Sequence, residues 1–169
     1  MQEFNSDWRN WKMALRKIVQ NGDSILRVEC RPVEKFDKKL WDLLDDMKET
    51  LAKANGVGLA APQVGIRKRI FIMDVGEGVI EMINPEITEK SKEIQRDVEG
   101  CLSCPNQWGY VKRPKYVTVK SYNRNGELVE YKLADLAARC ACHETDHLDG
   151  KLFLDFVDEF VKAEDMEND

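Results

Sequence analysis

Histidine is nearly absent from this chain of 169 residues, and the two that occur, His143 and His147, fall in one short stretch. No apolar run approaches the ~20 residues that a membrane-spanning helix needs, so no membrane association is expected. The N terminus is polar and lacks the apolar core of a secretory signal, which predicts a cytoplasmic protein with reduced thiols. There is no excess of positive charge. A net charge of -5 argues against nucleic acid as a direct partner. Internal repeats and low-complexity segments are also missing. One domain is the expectation for this length, and 43% hydrophobic residues suffice for its core. The five cysteines, in a reducing compartment, point to metal binding or burial more than to disulfides.

The scarce histidines are placed together. His143-Glu144-Thr145-Asp146-His147 matches the pattern H-E-x-x-H. On a helix, a spacing of four puts both imidazoles on one face, one turn apart, where they can share a divalent metal. Glu144, rotated by about 100° from His143, is poorly placed as a ligand and well placed as a general base beside one. The third ligand such sites need is not downstream: Phe153 occupies the position where one related pattern has a further histidine, and 22 residues follow His147. Glu159 and Glu164 lie there in an acidic stretch expected to be solvated. An upstream donor is therefore expected. Cys101-x-x-Cys104 has the spacing of half a zinc site, whereas Cys140 and Cys142 are too close together to complete it. One of the two thiolates, Cys101 or Cys104, becomes the candidate, with Gly100 allowing the backbone to turn it inward.

Taken in order, residues 1–12 form an extension and Met13 is a second plausible start, so a protein beginning there should keep full activity. Residues 15–19 suggest a short strand, Asn21-Gly22-Asp23 a turn, and 24–31 an extended run into Pro32. Residues 37–54 carry Leu40, Leu43, Leu44, Met47, Leu51 and Ala54 at helical spacing, with Asp37 as N-cap and Asn55-Gly56 as the stop. Strands are expected at 69–74, 79–83, 86–94, 116–122 and 127–132, the last two joined by a hairpin turn over Asn123–Gly126. Residues 134–148 form the helix of the metal motif, with Asp135 as its cap and Gly150 past its end. On it Leu136, Cys140, His143 and His147 share a face. A strand follows at 151–157, and 158–169 is an acidic, frayed tail. The sum is an α+β fold: antiparallel β-sheets packed around a central metal-binding helix, with one further N-terminal helix and a single catalytic domain over 13–157.

Gly56-x-Gly58-x-x-Ala61 also matches a dinucleotide-binding fingerprint literally. Its context excludes that: a helix precedes the glycines where a strand is needed, and Pro62 and Gly65 stand where a crossover helix would run. What remains is backbone able to approach a ligand closely, followed by the amide of Gln63.

Three motifs, in this order, resemble the peptide deformylase family: Gly56-Val-Gly-Leu-Ala-Ala-Pro-Gln63, Glu99-Gly-Cys-Leu-Ser103 and His143-Glu-Thr-Asp-His147. The resemblance covers roughly residues 13–157. It implies Fe2+ held by Cys101, His143 and His147, with Zn2+, Ni2+ or Co2+ able to replace it in purified samples. It implies removal of formyl from the N-terminal formyl-methionine of nascent bacterial polypeptides near the ribosome, by a monomer, with formate released. Glu144 is then the general base and acid, and the Gln63 amide and Leu102 N–H the oxyanion donors. Gly56, Val57, Gly58 and Gly100 would meet the substrate backbone. Val57, Leu136 and Cys140 would line a methionine pocket, with the stem of Arg139 nearby. Arg69 and Arg113 fit structural ion pairs. Two features depart from the common pattern: Cys104 stands where an aliphatic residue is usual, and Trp108 where some members have Arg.

Two rivals are distinguishable. A metalloprotease of another family would need the downstream ligand that is missing. A structural zinc bound by Cys101, Cys104, His143 and His147 would close the site to chemistry. If the resemblance to the deformylase family holds, Cys101 is the expected weak point toward oxidation, with Cys104 and Cys142 as possible disulfide partners.

Overall fold

The structure, a computed structural model, describes residues 14–166, so the extension over 1–12 lies outside the described residues. A helix α1 spans Lys38–Ala54. Its N-cap is Asp37, whose side chain accepts from the Leu40 N–H at 3.2 Å, and Asn55 ends it in the left-handed region at φ 52°. A short strand β1 (Gly58–Ala60) leads through a 3-10 turn (Ala61–Val64) to β2 (Ile70–Met73) and β3 (Ile80–Lys90). Two further strands, β4 (Ile94–Cys101) and β5 (Cys104–Pro114), form a hairpin. Then come β6 (Tyr116–Tyr122), β7 (Leu128–Ala134), helix α2 (Asp135–Leu148), β8 (Val157–Val161) and the single turn α3 (Ala163–Met166).

All pairings among the named strands are antiparallel. They build a five-stranded sheet in the order β1-β2-β3-β6-β7 and a three-stranded sheet in the order β4-β5-β8. Alternation along β2 explains how the larger sheet is covered on both faces. Ile70 and Ile72 pack toward α1 with Leu44, Met47 and Leu51, while Phe71 and Met73 join Ala138, Ala141 and Leu148 of α2. Helix α2 touches β1, β2, β3, β6 and β7 of this sheet and β5 of the smaller one, so it runs between the two sheets. A third cluster, with Leu26, Cys104, Val111, Leu152 and Phe153, closes the small sheet over the end of α2. Among the described residues no helix is long and apolar enough to cross a membrane.

The α+β class, both principal helices and the β6–β7 hairpin match the expectations. Other elements do not. Residues 15–19 form no strand, because their backbone bonds go to irregular partners: Arg16 N–H to Thr50 Oγ1 and Val19 N–H to the Gln63 carbonyl. Ser24–Arg27 is a 3-10 turn capped by Asp23, not an extended run. The two strands expected at 79–83 and 86–94 are one, continuous through Asn84-Pro85. There Asn84 adopts φ 49° and its side chain clamps Val33, with a register shift in the β3–β6 ladder. The β4–β5 hairpin was not expected at all. Its strands are half exposed and rich in charge, so little apolar alternation betrays them. Asp135 does not cap α2; the cap position is Ala134, with no side-chain bond, and Asp135 itself takes φ 53°. Phe153–Asp155 is a 3-10 turn where a strand was expected, and the acidic segment after 157 is not frayed throughout, because β8 pairs with β5.

Candidate metal centre

Helix α2 and the β4–β5 hairpin bring the scarce donors together. His143 and His147 are buried one turn apart, their ring centroids 5.0 Å from each other. Cys101 ends β4, beside the two-residue turn Leu102-Ser103, and its Sγ lies 3.4 Å from His147 Nε2. One ligand atom from each of Cys101, His143 and His147 falls within 4.8 Å of the others, and no other such group occurs among the described residues. Cys104 is not part of it. Phe153, at the position where the related pattern has a third histidine, stacks on His143 at 5.9 Å instead.

The donors suit a divalent transition metal by their chemistry. A thiolate and two neutral imidazoles are the kind of set that Zn2+ and its neighbours accept. Burial drives the His147 pKa well below its ordinary value, so that imidazole stays neutral and available. Burial also pushes His143 down, but the hydrogen bond to Glu99 and the charges of Glu144 and Glu99 together outweigh it, and the net shift is upward. That bond, His143 Nδ1 to Glu99 Oε1 at 2.8 Å, leaves Nε2 of His143 as the donor toward the cluster. The Cys101 thiol is shifted far upward by the neighbouring Cys104 thiol and by burial, a cost that a bound cation would offset.

Glu99 is the residue that sequence reasoning missed. It sits two positions before Cys101, buried, and four donors converge on it. Arg113 donates through Nε and Nη2 at 2.9 Å each, Arg139 through Nη1 at 2.6 Å, and His143 completes the set. Burial pushes the Glu99 carboxyl up, but the bonds from His143 and Arg113 prevail and hold it at about 2. Arg113 also grips Asp146 at 2.6 Å, tying β5 to α2 between the two histidines. The signal lay in the sequence as an acid inside the motif that carries Cys101. Its partners are 14 and more positions away, so no local pattern announces them. Arg113 is a structural ion pair, as expected, and so is Arg69, which meets Asp149 at 3.0 Å.

The cluster opens on a cleft of about 520 Å³. Gly56, Val57, Gly58 and Gln63 line one side, and Gly100, Cys101 and Leu102 another. Leu136, Arg139, Cys140, His143 and Glu144 contribute from α2. The sequence-predicted residues are thus gathered in one place, with His147 behind them in the donor group. Arg139 also lines the cleft, while its guanidinium is bound to Glu99 and to the Val111 carbonyl at 3.0 Å. Glu144 is buried and its Oε2 has no hydrogen-bond partner among the described residues. Burial raises its pKa to about 7. Gly58 lets it sit there, since a Cβ at 58 would collide with Glu144 Oε1 and come within 2.8 Å of Cys140 Sγ. The Gln63 amide is held at both ends. Its Oε1 accepts from the Ala60 N–H at 2.9 Å, and Nε2 donates to Ser103 Oγ at 3.1 Å and to Cys101 Sγ at 3.5 Å. The N–H edge of the amide therefore faces the donor group.

Residues 15–163 match the model of the polypeptide deformylase family. A peptide deformylase of Caldicellulosiruptor bescii is 55% identical over 155 residues, covering 92% of this chain and 93% of the relative. One from Acetivibrio thermocellus is 52% identical over 155 residues, covering 92% and 91%. The crystal structure of peptide deformylase from Thermotoga maritima superposes with a TM-score of 0.84 at 46% identity, over 85% of this chain and 98% of that one. With its three motifs gathered around one cleft and a family match spanning nearly its whole length, this chain belongs to the polypeptide deformylase family.

Proposed function

We propose that this enzyme hydrolyses the N-terminal formyl group of formyl-methionyl polypeptides, releasing formate, with a divalent metal held by Cys101, His143 and His147. The observation that carries the reading is a compact nitrogen–nitrogen–sulfur donor group at a cleft beside a buried carboxylate with one unpartnered oxygen. Three protein donors leave a position open, and a metal bound there would supply the Lewis acidity that makes a water nucleophilic near neutral pH. Fe2+ is the metal the resemblance implies, with Zn2+, Ni2+ or Co2+ as substitutes. The rival closed site with Cys104 as fourth ligand finds no support, since Cys104 stands outside the donor group.

Glu144 takes the proton from the attacking water and later delivers it to the leaving amine, a role for which a pKa of about 7 is suited. As the formyl carbon becomes tetrahedral, its oxyanion is met by the Gln63 amide, already oriented by Ala60 and Ser103, and by the Leu102 N–H. The peptide enters as an added strand along Gly56-Val57-Gly58, because β1 is an edge of its sheet, and passes Gly100 on the other side. Its methionine side chain rests among Val57, Leu136 and Cys140, with the Arg139 stem behind them. The substrates are nascent chains near the ribosome, met by a cytoplasmic monomer without direct contact to nucleic acid. The test is formate release from a formyl-Met peptide by protein purified without air. Formate appearing with metal content, and lost on chelation, supports the reading. A fully metallated protein that releases none overturns it.

A further inference from the structure

The site described above uses Cys101 and leaves Cys104 without a task, yet the two are neighbours by construction. They are Cα partners across the β4–β5 hairpin, separated only by Leu102 and Ser103. Residues directly opposed on antiparallel strands have Cα atoms about 4.5–5.5 Å apart, inside the range of about 4.4–6.8 Å that a disulfide spans. The other thiols near the site belong to helix α2. Cys140 Sγ borders Gly58 and Glu144, and Cys142 packs in the cluster under the large sheet, near Arg113, Asp146 and Lys90. Cys101 is half-buried on the cleft, whereas Cys104 is 2% exposed among Leu26, Val111, Leu152 and Phe153. Both border the cleft, so an oxidant entering it meets the more exposed Cys101 with Cys104 opposite it across the hairpin.

We propose that Cys101 and Cys104 form a reversible disulfide under peroxide, which withdraws the sulfur donor from the metal centre and protects it from irreversible oxidation. In the first step the Cys101 sulfur attacks one oxygen of hydrogen peroxide. The O–O bond breaks, a sulfenic acid forms, and the other oxygen leaves as hydroxide, which becomes water with the thiol proton or, where the sulfur is a metal-bound thiolate, with a proton from solvent. In the second step the Cys104 sulfur attacks the Cys101 sulfur. The S–S bond forms, the S–O bond breaks, and the hydroxyl leaves as a second water with the Cys104 proton. Two thiols and one peroxide give one disulfide and two waters, the sulfurs losing two electrons. A dithiol reverses the change and is itself oxidised. The link itself is independent of the assigned function; only its consequence for metal rests on Cys101 being a ligand.

The test treats metal-loaded full-length protein with excess hydrogen peroxide and follows intact mass, peptide mapping, free thiols and bound metal. The expected result is a loss of two hydrogens in mass, a peptide joining Cys101 to Cys104, and free thiols falling from five to three. Metal is released in step with the link, and a dithiol restores both thiols and metal binding. In Cys104→Ser, and in Cys104→Val as a second variant for this buried position, Cys101 instead gains two or three oxygens and a dithiol does not restore metal binding. Oxygen added to Cys101 of the wild type without a link, or a link to Cys140 or Cys142, overturns the proposal. A Cys101–Cys104 link that forms without loss of metal leaves the disulfide standing and refutes the role of Cys101 as ligand.

Discussion

On either side of His143 lies a buried glutamate, and the two are opposites. Glu99 receives four hydrogen bonds from two arginines and a histidine and is held at about 2, while Glu144 has one oxygen without a partner and is raised to about 7. Both are at most 5% exposed, so burial alone does not separate them. Burial costs an ion its hydration in both places, and only converging donors repay that cost. The Glu99 side is a fixed counterion that orients a histidine and ties β5 to α2. The Glu144 side keeps a carboxyl that can change its protonation near neutral pH. The difference teaches that in this protein permanent charge and mobile protons are divided between two sides of one imidazole.

Substituting each carboxylate should break this contrast in a different currency. The largest effect is expected for Glu144→Gln, which should lower turnover by about 10²–10⁴-fold with metal content unchanged by elemental analysis. Metal lost along with activity would make Glu144 a ligand and erase the distinction. Glu99→Ala removes the carboxylate partner of buried Arg139 and leaves buried Arg113 with Asp146 alone. A loss of roughly 3–5 kcal/mol in urea unfolding is expected from uncompensated buried charge. Chelator competition should show metal affinity weakened by about 10–100-fold, as for other partners of a ligating histidine. A Glu99→Ala protein as stable as the parent would mean the network carries no net weight.

Smaller changes sharpen the comparison. Gly58→Ala adds a Cβ against Glu144 Oε1 and not against Glu99. Displacing the carboxyl should cut turnover by about 10–10²-fold while the melting temperature moves little; equal kcat in the two proteins would count against a finely placed Glu144. The smallest effect belongs to a third carboxylate, Glu81, which binds Arg124 at 3.0 Å and Lys48 at 2.7 Å far from the cleft. Burial raises Glu81, but the bonds from Arg124 and Lys48 leave it below its ordinary 4.5. A carboxyl lowered by folding stabilises the native state above its unfolded pKa, and that contribution is lost as pH falls through the folded one. Wild type should therefore exceed Glu81→Gln by up to about 1 kcal/mol near neutral pH, and the gap should close in acid below 4.5. A gap that widened in acid would show the sign to be wrong.

Much of the site could be read from residue order because its pieces are local. His143 and His147 are four apart on a helix whose apolar stripe is plain, and α1 carries its cap and its stop in Asp37 and Asn55. The β4–β5 hairpin escaped notice because its strands are held by cross-strand partners and not by an apolar alternation. Asn84-Pro85 looked like a break and is a distortion within one strand, clamped by Val33 from a segment 51 positions earlier. The strand β8 was masked by its acidic composition, yet Arg96 of β4 binds Asp158 and Glu159 at 2.7 Å each and offsets that charge from across β5.

The sequence by itself determined the helix carrying the paired histidines, the order of the three motifs and the candidate donors, since each rests on periodicity or on side-chain chemistry within a few residues. Only the tertiary structure decided which thiol joins the histidines, because Cys101 and Cys104 have the same chemistry and differ only in where the hairpin points them. It likewise decided that the Glu99 carboxyl is held low and that of Glu144 raised to about 7. A carboxyl has no fixed charge of its own once buried: the groups folded around it, from strands and helices distant in the chain, set the free energy of each protonation state.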